Sequence, residues 1–176
     1  MNSDSSAGLA HAKLYNIKNL ILEWSEAAGP FLSIEPLMRY VAEVHESVRD
    51  KAMALLKGYK SAKNKQYVHY WDCNPKYLVG AIESEFGSKL HPEALTQITQ
   101  YPDIRDKFLH GNFIELMRIL EIKPVSRRMI TPGVWEELKP GEIYEAFLSM
   151  KKNEVFKKLR LYSSNVTQSL HVIITG

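Results

Sequence analysis

A chain of 176 residues suits one domain that buries roughly 70% of its unfolded surface, enough for a core without covalent staples. Cys73 is the lone cysteine, so no disulfide can close within the chain, and this usage predicts a reducing, cytoplasmic setting. With 23 Lys and Arg against 20 Asp and Glu, the net charge of +3 is too small to indicate nucleic acid; only a local concentration of charge would do so.

The opening MNSDSSAGLAHAK is polar and lacks the charged-then-apolar order of a signal peptide. No run reaches the apolar length of a bilayer span, so a soluble chain without a membrane partner is expected. Leu14, Ile17, Ile21 and Trp24 recur at helical spacing and predict a first helix, with Ser5 or Ser6 as N-cap and Gly29-Pro30 as the stop. Leu37, Val41, Val44, Val48, Ala52 and Leu55 predict a second helix of about five turns, ending at Gly58.

KGYKSAKNKQYVHYWDCNP then reads as a basic connector closing at Asn74-Pro75. In it Lys57, Lys60, Lys63 and Lys65 interleave with Tyr59, Tyr67 and Tyr70. That combination of phosphate-pairing charge and stacking faces suits a single-stranded RNA path, and equally a solvated loop with its tyrosines on the core. A short helix is predicted over residues 76–86 with Tyr77, Leu78, Ile82 and Phe86 inward, closed by Gly87. Another begins at Pro92 and runs through Ile98. Residues 104–122 either continue it with a kink at Pro102 or form a fresh helix from Pro102-Asp103.

VSRRMITPGVWEELKPG is rich in turn formers, and helical patterns return at 143–150 and 155–161. Lys151, Lys152, Lys157, Lys158 and Arg160 form the wet side of that last helix, while the tail SLHVIITG fits a short strand or an ordered end. Trp24, Trp71 and Trp135 are read as packing anchors. The pattern predicts an all-α chain: an up-and-down bundle of four to six helices in residues 1–122, with residues 123–176 an extension packed on the same domain.

One stretch is unusually polar for an apolar helix, IRDKFLHGNF at 104–113. On a straight helix Arg105 and His110 would point about 140° apart and stand about 7.5 Å apart along the axis, so they are not an ordinary surface pair. If both act on one substrate, either the helix bends between them or two copies meet across a two-fold axis. Arginine supplies a planar fork for phosphate oxygens, and histidine exchanges a proton near neutral pH. Those are the groups needed to cleave RNA without a metal: the ribose 2′-hydroxyl attacks the adjacent phosphorus while one imidazole removes its proton and a second acid protonates the leaving 5′-oxygen.

Arg105-Asp-Lys-Phe-Leu-His110 resembles the R-x4-6-H motif of the HEPN superfamily, in which a polar residue commonly follows the arginine and glycine often follows the histidine. Asp106 and Gly111 both fit. The resemblance implies a HEPN-like helical bundle and a homodimer with its site at the interface. It also implies metal-independent endoribonuclease activity leaving 2′,3′-cyclic phosphate and 5′-hydroxyl ends, with no cofactor, and a toxin or defence role under an antitoxin or other regulatory protein. On this reading Arg105 and His110 are the catalytic residues, Asp106 and Asn112 support them, and Lys57, Lys60, Lys63 and Lys65 extend the RNA path. Some members are binding modules without activity, which gives the alternative of a HEPN-like module binding RNA or a protein.

Arg39-Tyr-Val-Ala-Glu-Val-His45 satisfies the same spacing, but with an aromatic after the arginine and no glycine after the histidine it reads as a core-helix coincidence. Glu43, Glu46 and Asp50 are carboxylates on the polar side of the second helix, and a HEPN-like arrangement implies that an acid from that helix orients Arg105 or His110, without singling out one of the three. His69 and Cys73 stand four apart, too few ligands for a zinc site, so no metal is expected.

Overall fold

The computed structural model describes residues 18–59, 74–123 and 127–176. They are predominantly helical, which bears out the all-α reading, with one small two-stranded sheet. The chain divides into two compact units, each built from two segments: Met1–Gly29 with Asn112–Arg160, and Pro30–Gly111 with Leu161–Gly176.

Helix α1 covers residues 18–32 and runs through Gly29-Pro30 instead of stopping there. Pro30 removes only one amide bond of the final turn, and the helix ends shortly after it, where the Ser33 hydroxyl donates to the Pro30 carbonyl at 2.6 Å. Leu14, Ile17 and the serines proposed as caps lie outside the described residues.

In the unit of residues 30–111 and 161–176, the long second helix is in fact two, α2 (Ile34–Val44) and α3 (Glu46–Tyr59), separated by His45 in an extended conformation at φ −110°, ψ 102°. The buried stripe continues across the break through Ile34, Met38, Val41, Val48, Ala52 and Leu56. Val44 and Leu55, expected inward, are exposed. Gly58 lies inside α3 rather than ending it.

Helices α4 (Pro75–Phe86) and α5 (Pro92–Thr99) follow the predicted bounds closely. Each opens on a proline behind a capping side chain, Asn74 Oδ1 accepting from the Lys76 amide and His91 Nδ1 accepting from the Glu93 amide. Helix α6 (Tyr101–Leu109) starts afresh with Pro102 in its first turn. Phe31, Tyr101, Ile104 and Phe108 form the centre of this unit's core, the Phe31 ring lying 5.4 Å from Tyr101 and 5.1 Å from Phe108.

The other unit holds α7 (Phe113–Ile119), strands β1 (Arg127–Thr131) and β2 (Val134–Glu137), helix α8 (Pro140–Ala146) and a π-helical turn (Phe147–Lys151). Phe113 stacks on Phe147 at 4.5 Å and meets the edge of Trp24 at 5.5 Å, so Trp24 packs as expected. Trp135 does not, because it is 56% exposed on an antiparallel hairpin turned by Pro132 and Gly133, the latter at φ 81°. Trp71 lies outside the described residues.

Helix α9 (Lys152–Thr175) runs on as one element through the tail read as strand or ordered end. Its later turns are held by Tyr162, Val166, Leu170 and Ile173, buried at spacings of three or four, and by the Tyr162 hydroxyl donating to the Gln97 carbonyl at 2.6 Å. No helix among the described residues is long and apolar enough to cross a membrane.

Helix α7 closes in a Schellman arrangement, with the Ile122 amide donating to Met117 at 2.8 Å and the Glu121 amide to Arg118 at 3.1 Å. This puts Glu121 at φ 59°, a left-handed position where a Cβ costs about 1 kcal/mol and glycine costs nothing. Glu121→Gly is therefore expected to raise stability by about 1 kcal/mol in urea titration, and a loss of stability would show that the Glu121 side chain contributes more than its backbone costs.

Candidate functional site

The polar stretch 104–113 is not one helix with a polar face but a helix end. The last turn of α6 finishes at Leu109, His110 is the C-cap at φ −85°, ψ 0°, and Gly111 takes φ 66° while its amide donates to the Phe108 carbonyl at 3.2 Å. Glycine after a helix end is the least costly way to enter the left-handed region, so the His110-Gly111 step has a local conformational cause. Asn112 starts the next element: its Oδ1 accepts from the Glu115 amide at 3.3 Å and so caps α7.

Ending the helix at His110 keeps His110 above Asp106, one turn earlier, and the imidazole Nε2 lies 3.3 Å from Asp106 Oδ1. The histidine side chain is 76% exposed. In the tautomer that satisfies this contact Nε2 carries the proton, which leaves Nδ1 as the basic nitrogen. Asp106 Oδ2 also accepts from Lys107 Nζ at 3.1 Å. That ammonium, helped by the charges of His110 and Arg105, holds the Asp106 carboxyl below its usual range.

Arg105 turns the other way. Its Nε donates to Glu35 Oε2 at 3.0 Å, joining α6 to α2, and its side chain stays 35% exposed. Glu35 is the hub of a small cluster, since its Oε1 accepts from Arg39 Nη2 at 2.9 Å and its Oε2 also accepts from the Tyr101 hydroxyl at 3.3 Å. Burial, with the Glu35 charge adding to it, pushes the Tyr101 hydroxyl well above its usual pKa, so it remains a donor. With Nε bonded to Glu35, the guanidinium of Arg105 is held at its inner edge, and the side chain stays part exposed.

The sequence pointed to α2–α3 for a carboxylate and named Glu43, Glu46 and Asp50; the one that reaches Arg105 is Glu35, a turn before Arg39. The Glu35–Arg39 spacing of four marks an intrahelical pair in the sequence. Nothing there links it to Arg105, 70 residues later. Arg39, set aside with His45 as a coincidence of spacing, thus joins the cluster through Glu35, while His45 sits at the α2–α3 break with Nε2 2.9 Å from the Ile173 carbonyl. Lys57 is exposed near the end of α3, whereas Lys60, Lys63 and Lys65, with His69 and Cys73, lie outside the described residues.

In comparisons with protein-family models, with curated proteins and with solved structures, nothing matches this chain.

Two measurements check the electrostatics. Removing the hub by Glu35→Ala leaves two arginines facing each other and a buried hydroxyl without its acceptor, and it should cost about 1–3 kcal/mol of stability; an unchanged unfolding midpoint would show that the cluster carries no energy. Asp106, with its pKa lowered in the folded protein, contributes stability above about pH 4 that is lost as pH falls through the folded value. The Asp106 carboxyl carbon, followed by NMR, should titrate below 3.8, and Lys107→Met should move its midpoint upward.

Proposed function

We propose that the protein is a metal-independent endoribonuclease of HEPN type, acting in a toxin or defence setting. The observation that supports it best is the exposed His110 imidazole held by Asp106 at a helix end, with the Arg105 guanidinium anchored one residue earlier in the sequence. An Asp-oriented histidine is a competent proton-transfer group, and a fixed arginine is a competent clamp for a phosphorane-like charge.

In this mechanism the 2′-oxygen forms a bond to phosphorus as its proton passes to Nδ1 of one His110. The bond from phosphorus to the 5′-oxygen breaks as that oxygen takes a proton from a second acid, the His110 of another copy of the chain. The products are a 2′,3′-cyclic phosphate and a 5′-hydroxyl, and Arg105 offsets the charge that builds on the non-bridging oxygens. Glu35 acts through Arg105, and Asp106 acts through His110. Lys57 supplies phosphate-pairing charge at the end of α3, and an antitoxin or other regulatory protein would cover the site.

A second reading is a module that binds RNA or a protein without cutting. It is favoured by the Arg39–Glu35–Arg105 cluster, which by itself would stabilise the fold whether or not it meets a phosphate.

Single-stranded RNA incubated with the protein in EDTA distinguishes these. Cleavage should yield cyclic-phosphate ends and fall about 100-fold or more in His110→Ala and in Arg105→Ala. Equal cleavage by the wild type and both variants would assign the activity elsewhere, and RNA retention without cleavage would support the binding module.

A further inference from the structure

The β1–β2 hairpin is exposed at every one of its nine residues. A two-stranded ribbon of that kind is marginal in water unless something covers it. Met129, Ile130, Val134 and Trp135 are each more than half exposed, an apolar load that no segment of the described chain takes up. The hairpin's two faces are not equivalent. Arg128 donates through Nε and Nη2 to Glu136 on the opposite strand, both at 3.1 Å, and its Nη2 lies 3.7 Å from Glu142 of α8. The face carrying Arg128 and Glu136 is thus turned toward α8. The alternate residues Arg127, Met129, Trp135 and Glu137 occupy the face turned away from it.

The register sets what fits that outer face. Arg127 stands opposite Glu137 and Met129 opposite Trp135. If two such faces stack about a two-fold axis parallel to the strands, each β1 lies over the partner's β2 at the same height. The Met129 thioether of one copy then meets the indole of the other, and each Arg127 meets the other copy's Glu137. Apolar and ionic groups are satisfied by a single operation, because one strand carries only the basic partner and the other only the acidic one. The Arg127–Glu137 contact within the hairpin is loose, 3.7 Å between groups 62% and 83% exposed, so both side chains have room to turn outward.

We propose that this hairpin face is a homotypic interface, closed by a second copy of the chain. It is independent of the ribonuclease reading and uses none of its residues. The face offers only Arg127, Met129, Trp135 and Glu137 from each copy, against the roughly 20 or more residues a side of a standard interface, so the association is a concentration-dependent equilibrium rather than a permanent one.

Charge exchange tests it. By sedimentation velocity over a hundredfold range up to the solubility limit, the wild-type chain should shift from monomer toward dimer. Arg127→Glu alone places like charges over one another in the pair, as does Glu137→Arg alone, and each should associate more weakly than wild type over that range. An equimolar mixture of the two variants should associate one to one, since each face is then the charge complement of the other. A change in the stability of the hairpin itself cannot produce that recovery, because neither variant regains its own cross-strand pair. A wild-type chain that stays monomeric throughout would overturn the proposal, as would variants that associate like wild type or a mixture that fails to pair. Association of wild-type strength in both variants together with RNA cleavage would leave the site reading intact while removing the hairpin from the interface.

Discussion

The Glu35 carboxylate is the point on which the arrangement around Arg105 rests. One side chain from α2 accepts from Arg39 on its own helix and from Tyr101 and Arg105 on α6, with only 19% of it exposed to water. Three donors on two oxygens compensate the desolvation of the charge, and they do so by linking elements far apart in sequence. Without that acceptor Tyr101 would be a hydroxyl buried among Phe31 and Phe108 and Arg105 a freely moving surface side chain. With it, the guanidinium has a fixed inner edge, which is a prerequisite for binding an anion without first losing rotamer freedom.

The polar groups of α6 are divided between its wall and its end. The geometry of a straight helix separates Arg105 from His110, and the chain does not overcome this by bending. It stops. Arg105 stays on the helix wall and points to α2, while His110 sits on the final turn and is held by Asp106. The arginine is thereby anchored to the body of its unit, and the histidine is left in solvent, which is the division of roles that the proposed ribonuclease mechanism requires.

Much of this was legible in the sequence where the signal is local. The bounds of α4 and α5 follow from Asn74-Pro75, Gly87 and Pro92, because caps and prolines act within a turn of themselves. The break at His45 was not legible, since the apolar stripe runs straight through it and the extended residue has no marker of its own. The two separate patterns at 143–150 and 155–161 belong to one run of helix interrupted by the π turn at Phe147–Lys151, whose extra residue shifts the periodicity and so mimics a stop. For the candidate site, residue type marks Arg105 and His110, and the resemblance to the HEPN motif adds Asp106. Neither marks Glu35, because its role depends on a contact across 70 positions.

The break at His45 also solves a problem of length. The 11 residues of α2 and 14 of α3, joined straight through His45, would make a rod of about 39 Å at ~1.5 Å per residue. A compact unit of roughly a hundred residues is only about 33 Å across. An unbroken helix would therefore push its end turns past the core they are meant to bury. By leaving one residue extended, and tying that residue's ring to Phe86 and its Nε2 to the Ile173 carbonyl, the chain divides an overlong amphipathic segment into two helices, each shorter than that diameter.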